Sequence, residues 1–90
     1  MSRVRVHVQA RGRVQGVFFR GEASARAESL GIAGWIRNAE DGSVEAVFEG
    51  ERDRVESMVD WCRRGPAGAR VEELDVEPKE PDGENGFRVR

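Results

Sequence analysis

"GRVQGVFFR", residues 12–20, separates two stretches of different periodicity. Before it, Val4, Val6, Val8 and Ala10 alternate with Arg3, Arg5, His7, Gln9 and Arg11. A period of two over this length predicts a half-buried strand, ended by Gly12. After it, Phe19, Ala23, Ala27 and Leu30 recur at helical spacing, with Glu22, Arg26 and Glu28 on other faces. "ASARAE" favours a helix, and Gly31 stands where a left-handed C-terminal cap is expected. The chain therefore passes from strand to helix inside this segment.

The rest of the sequence follows from that first unit. "AGWIRNAEDGSVEAVFEG" predicts a hairpin with strands over about Gly34–Ala39 and Ser43–Glu49, reversed at Asp41-Gly42. Val44, Ala46 and Phe48 fall on one face, and Glu45, Val47 and Glu49 on the other. "ERDRVESMVDWCRRG" predicts a second helix with Val55, Met58, Val59 and Cys62 as its apolar stripe. Its acids come early and its arginines late, as the helix dipole favours, and Gly65 and Pro66 stop it. "ARVEELDVEP" predicts a fourth strand with Leu74 and Val76 inward, closed by Pro78 and Pro81. "PDGENG" is a surface turn, and Phe87–Arg90 a short final strand. The order β-α-β-β-α-β predicts an α+β, ferredoxin-like two-layer sandwich: an antiparallel sheet with two helices on one face, plus a short extra C-terminal strand. That fold hosts many functions and fixes none.

Ninety residues suit a single domain over 1–90 and one modest core, so any catalysis must rest on a few groups on a simple scaffold. No apolar run reaches the ~20 residues of a membrane span, and no signal peptide is recognisable. The lone Cys62 excludes an internal disulfide and fits a reducing compartment, so a cytoplasmic location is expected. Net charge is −2, yet residues 1–20 carry five arginines and no acid, which leaves −7 for the other seventy. That asymmetry favours a small anion near the N-terminal segment over a long polyanion.

Gly12 and Gly16 allow backbone angles that let successive N–H groups converge on an anion. The following helix start adds free N–H groups, and Arg20 falls there with a planar fork suited to a phosphoryl group. Spacing alone supports equally a plain loop with turn glycines and solvated arginines. The segment lacks the Gly-Lys-Ser/Thr of a Walker loop and the spacing of a dinucleotide fold.

"GRVQGVFFR", then "GWIRN", then "DGSVE" and "EG", in this order and spacing, resemble the acylphosphatase family. The similarity continues through "GPAGARVEELDV" to "GFRVR". The resemblance implies hydrolysis of a carboxyl–phosphate anhydride to carboxylate and inorganic phosphate, without metal or cofactor. It implies that the loop (Gly12, Arg13, Val14, Gln15, Gly16, Val17, Phe18 and Phe19) and Arg20 bind the phosphoryl group, and that Asn38 orients the attacking water. Ser43, where the family often has a hydroxyl, is a candidate to orient Asn38, or simply a turn serine. Ala39 replaces a hydroxyl found in some relatives, and Phe18, at a variable position, is a candidate to shape access for the acyl group. The expected partners are an acyl phosphate and inorganic phosphate, as product and inhibitor. No nucleic acid or membrane partner is expected, and the chain is expected to be a monomer.

Other chemistry-bearing residues read as structural. His7 sits among strand valines, Cys62 on an apolar stripe, and Trp35 and Trp61 in or near the core. One histidine and one cysteine cannot build a His/Cys metal cluster. The runs "EGERDRVE" and "EPKEPDGE" read as solvated faces. Two other functions fit the architecture: an RNA-binding domain, and a regulatory domain that binds a small ligand without turnover. RNA readers of this architecture stack bases on central-strand aromatics, whereas Phe18 and Phe19 fall at the loop and helix start.

Overall fold

A computed structural model describes residues 2–90. The elements are β1 (Arg3–Arg13), α1 (Phe19–Ser29), β2 (Ala33–Asn38), β3 (Val44–Glu51), α2 (Arg52–Arg64), β4 (Arg70–Lys79) and β5 (Phe87–Val89). The sheet order is β4-β1-β3-β2-β5. The first four strands pair antiparallel among themselves, and β5 pairs parallel to β2. The sheet is therefore mixed at one edge rather than wholly antiparallel. Among the described residues, no helix is long and apolar enough to cross a membrane.

Both helices are held by the stripes the sequence predicts. Phe19, Ala23 and Ala27 of α1 and Val55, Met58, Val59, Trp61 and Cys62 of α2 are buried against Val8, Ala10, Ile36, Val44, Ala46 and Phe48 of the sheet. Phe19 and Trp61 meet edge to face at 5.3 Å between ring centroids, which joins the two helices. After α1, Gly31 is left-handed (φ 68°). Its N–H donates to the Glu28 carbonyl and that of Ile32 to the Ala27 carbonyl, so two otherwise orphaned helix carbonyls are satisfied.

Several expectations need correction. Gly12 does not end β1. The strand runs to Arg13, with a register irregularity between Arg11 and Gly12 where it follows β4. At Gly12 (φ 129°) a Cβ would lie 2.2 Å from the Arg70 carbonyl oxygen, so close strand approach requires glycine there. Pro78 does not close β4, which continues through it to Lys79. An edge strand tolerates the missing N–H. Val76 is more exposed than an inward position predicts, while Leu74 packs against the core.

The largest surprise is Glu49, read as part of a solvated run and found fully buried. It accepts from Arg3 Nε and Arg5 Nη1, both at 2.9 Å, and from the backbone N–H groups of Asp82 and Gly83. Burial alone would raise its pKa. The two backbone donors and two guanidinium groups outweigh that and hold it at about 2.

Candidate active site

The register brings three strand ends together. Val44, the first residue of β3, pairs with Ala10 of β1 on one side and Asn38 of β2 on the other. The loop leaving β1 therefore passes beside the β2–β3 turn. Gln15 ties the two: its Nε2 donates to the carbonyls of Ala39 and Ser43, each at 2.9 Å.

Beyond Gln15 the backbone turns through Gly16 (φ 75°) and Phe18 (φ 63°), both left-handed. For a residue with a Cβ that conformation costs roughly 1–2 kcal/mol. Phe18 is also the N-cap of α1, and no side chain caps that end. The first N–H groups of α1 therefore have no side-chain acceptor. They open beside a cleft of about 260 Å³ lined by Val14, Gly16, Phe18, Phe19, Arg20, Gly21 and Asn38. Arg20 is half-buried, and its Nη1 donates to the Arg90 carbonyl at 3.2 Å. Arg20 and Asn38 thus share one cleft, although they come from different elements.

Not every residue expected at the loop reaches this cleft. Gly12 and Arg13 lie in the β1–β4 ladder. Val17 packs on the core. Gln15 directs its side-chain amide to the hairpin carbonyls. Ser43, expected beside Asn38, instead donates its hydroxyl to Asp41 Oδ1 at 2.6 Å and accepts from Gln9 Nε2 at 2.9 Å. It shapes the turn after Asn38 rather than touching the carboxamide. The Ser43 hydroxyl and backbone N–H hold the Asp41 carboxyl below the usual range. Gly21 was not anticipated. Its only signal in the sequence is a glycine within a run that otherwise favours a helix.

Charge is also distributed differently from the sequence expectation. Arg3 and Arg5 pair with Glu49, and Arg11 lies 3.4–3.6 Å from Asp41, Glu73 and Asp75. Three of the five N-terminal arginines therefore neutralise acids of the sheet and its loops. Positive potential at the cleft comes from Arg20 and the backbone amides. His7 also points away from the cleft chemistry: its Nε2 lies 2.6 Å from Glu45, and this contact, helped by Arg37, lowers the Glu45 pKa. Burial pushes the Cys62 thiol up to about 12, so it supplies no nucleophile. Among the described residues, no three His, Cys, Asp or Glu side chains converge as a metal-binding group. A wider groove of about 470 Å³ lies between α2 and the β1–β4 edge, where Arg52 and Arg63 stand among Glu56 and Asp60.

The chain as a whole has close parallels among known proteins. The family model described as acylphosphatase matches residues 6–89. An acylphosphatase from Roseiflexus is 54% identical, covering 99% of this chain and 97% of its own. One from Rubrobacter xylanophilus is 58% identical, covering 99% of this chain and 80% of its own. The solved acylphosphatase from Coxiella burnetii superposes with a TM-score of 0.93 at 39% identity, covering 98% of this chain and 93% of that one. Agreement this long, at identities above one half, places the sequence: the chain belongs to the acylphosphatase family.

Proposed function

We propose that the cleft grips the phosphoryl group of an acyl phosphate between Arg20 and the amides of residues 14–20, while the Asn38 carboxamide aims a water at phosphorus. The activity, hydrolysis of acyl phosphates, comes with the family. The observation that carries the assignment of roles is the shared cleft: Arg20 and Asn38 both line it, beside an uncapped helix start.

The chemistry needs few groups. An acyl phosphate carries a good leaving group, and phosphoryl transfer passes through a loose transition state stabilised mainly by position and charge. The Arg20 guanidinium and the amides meet the charge on the equatorial oxygens. Asn38 is too weak a base to take the proton from water, so it holds the water in line. Water oxygen bonds to phosphorus, the P–O bond to the acyl group breaks, and the carboxylate leaves. The water proton passes to a phosphoryl oxygen of the substrate. Gln15 positions the loop against the hairpin that carries Asn38, since it bonds the carbonyls on both sides of that turn.

Full turnover in EDTA is expected, because Arg20 and the amides supply the positive charge. A cytoplasmic monomer acting on a small anion, without nucleic acid or membrane, fits an acidic chain whose N-terminal arginines are largely paired. The test is hydrolysis of acetyl or benzoyl phosphate in EDTA, with inorganic phosphate as competitive inhibitor. Absence of turnover, or noncompetitive phosphate, contradicts the proposal.

A further inference from the structure

We propose that Arg13 and Arg70 form a cationic rim beside the cleft that draws in the phosphoryl dianion, so that they govern capture of substrate and phosphate rather than the chemical step. This inference rests on the phosphoryl site proposed above.

Two observations carry it. The first is a rung of the β1–β4 ladder that the fold does not explain. Elsewhere this ladder sets basic residues against acidic ones: His7 opposes Glu77, and Arg11 opposes Glu73. Arg5 opposes Lys79, but Arg5 is paired with Glu49 and Glu84, and Lys79 with Glu77. At the last rung Arg13 stands directly opposite Arg70. Both are exposed, and neither forms an ion pair among the described residues. Like charges directly opposite each other destabilise a ladder. The chain carries 17 acidic side chains against 15 lysines and arginines, so a shortage of acids does not account for the rung.

The second is where the rung lies. Arg13 ends β1, and Val14, next in the chain, lines the cleft. Arg70 opens β4 after a loop that packs on the same wall. A Cβ on Gly65 would lie 2.9 Å from the Phe19 ring and 3.1 Å from the Ala69 Cβ, and Phe19 also lines the cleft. The unopposed charge is thus at the cleft end of the two strands. At their other end Arg3, Arg5 and Lys79 all have acidic partners.

Neither Arg13 nor Arg70 lines the cleft, so neither touches the reacting atoms. Their reach is through the field. Exposed charges of one sign beside a site raise the local concentration of a counter-ion and its rate of capture, and salt screens the effect. An acyl phosphate and inorganic phosphate present the same anion to this field, whatever the acyl group.

The experiment measures kcat and kcat/KM for acetyl phosphate, and the dissociation constant of inorganic phosphate by calorimetry. Each is taken at ionic strengths of about 10 mM and about 0.5 M, where the screening length is about 30 Å and about 4 Å. The proteins are the wild type, Arg13→Gln/Arg70→Gln, and the control Arg52→Gln/Lys79→Gln. The control removes the same charge at the far end of the sheet, where Glu51, before Arg52, pairs in register with Arg3. Two charges acting on a dianion across roughly 10 Å of water are worth about fivefold at the lower salt and less than about 1.5-fold at the higher. The rim variant is expected to lose that much in kcat/KM and in phosphate affinity, with kcat held, while the control changes by less than about twofold. Its urea midpoint is expected to stay level or rise, because a repulsive rung is gone. An unchanged dissociation constant, an equal loss in the control, a loss that persists at high salt, or a fall in the urea midpoint overturns the inference. If calorimetry shows the salt-dependent loss but the wild type turns over no acyl phosphate, the rim stands and the hydrolytic reading falls.

Discussion

Asn38 has no acid–base strength, so the water-holding role proposed for it depends on where it stands, and the turn just beyond it is tied to the loop through two carbonyls. Gln15 donates to both, and among the described residues no other side chain spans the loop and the turn in this way. Gln15→Ala is expected to lower kcat by about 10- to 100-fold, the cost of a small misplacement of a reacting group. Competitive inhibition by phosphate should weaken far less, because Arg20 and the amides remain. Equal losses in both would mean that Gln15 binds the phosphoryl group directly. The same reasoning sets the pH dependence. The one histidine contacts Glu45 and does not line the cleft, and burial pushes the thiol up to about 12. A depressed carboxyl at Asp41 stays ionised down to below the ordinary carboxylate range. Between pH 5 and 8, kcat should therefore show no step from a protein group, and His7→Gln should leave the profile unchanged. A histidine-like step removed by His7→Gln would contradict the mechanism.

At the scale of elements, what could be read from the sequence was whatever depends on neighbours in sequence. Val4 to Ala10 alternate, Val55 to Cys62 recur at helical spacing, and Asp41-Gly42 sits between two apolar runs. Each pattern became the predicted element. What depends on contacts between distant strands stayed hidden. Gly12 reads as a terminator because glycine often is one. It is inside a strand because the backbone of β4 passes too close for a Cβ. Pro78 reads as a stop, yet β4 is an edge and absorbs it. Within the site, the loop and Arg20 carried a local signal, and Asn38 came only through family resemblance. Gln15's bond to the hairpin had none, and the place of Gly21 on the cleft was marked only by a glycine within a run that otherwise favours a helix. Gly12→Ala is expected to destabilise the fold by more than about 1 kcal/mol, measured by urea denaturation. Gly16→Ala, where a Cβ meets nothing within 4 Å, should cost less from crowding and only the strain of its left-handed φ. The reverse ranking would put the close approach of β1 and β4 in the wrong place.

Across the whole molecule, Glu49 joins segments that local patterns leave unconnected: the start of β1, the end of β3 and the turn leading to β5. That turn delivers β5, whose end carries the Arg90 carbonyl that Arg20 contacts. Removing one partner of a buried ion pair typically costs roughly 3–5 kcal/mol. Glu49→Gln should show a loss of that order in urea denaturation at neutral pH. The pH dependence has a fixed sign. The folded pKa of about 2 lies below the ordinary 4.5, so the stabilisation is complete above about 4.5 and fades as pH falls toward 2. The gap between wild type and Glu49→Gln should close over that window. A gap that persists unchanged at pH 2 would show that the carboxylate charge is not what holds the three segments.

The division of labour in the cleft is tested most directly by measuring phosphate affinity and kcat side by side in Arg20→Ala and Asn38→Ala. Loss of a preorganised charge donor costs about 10²–10³ in rate, so Arg20→Ala should lose at least that much and most of its phosphate binding. Asn38→Ala should lose most turnover and bind phosphate nearly as the wild type does. If Asn38→Ala abolishes phosphate affinity, or Arg20→Ala keeps it, the assignment of anchor and water-holder is wrong.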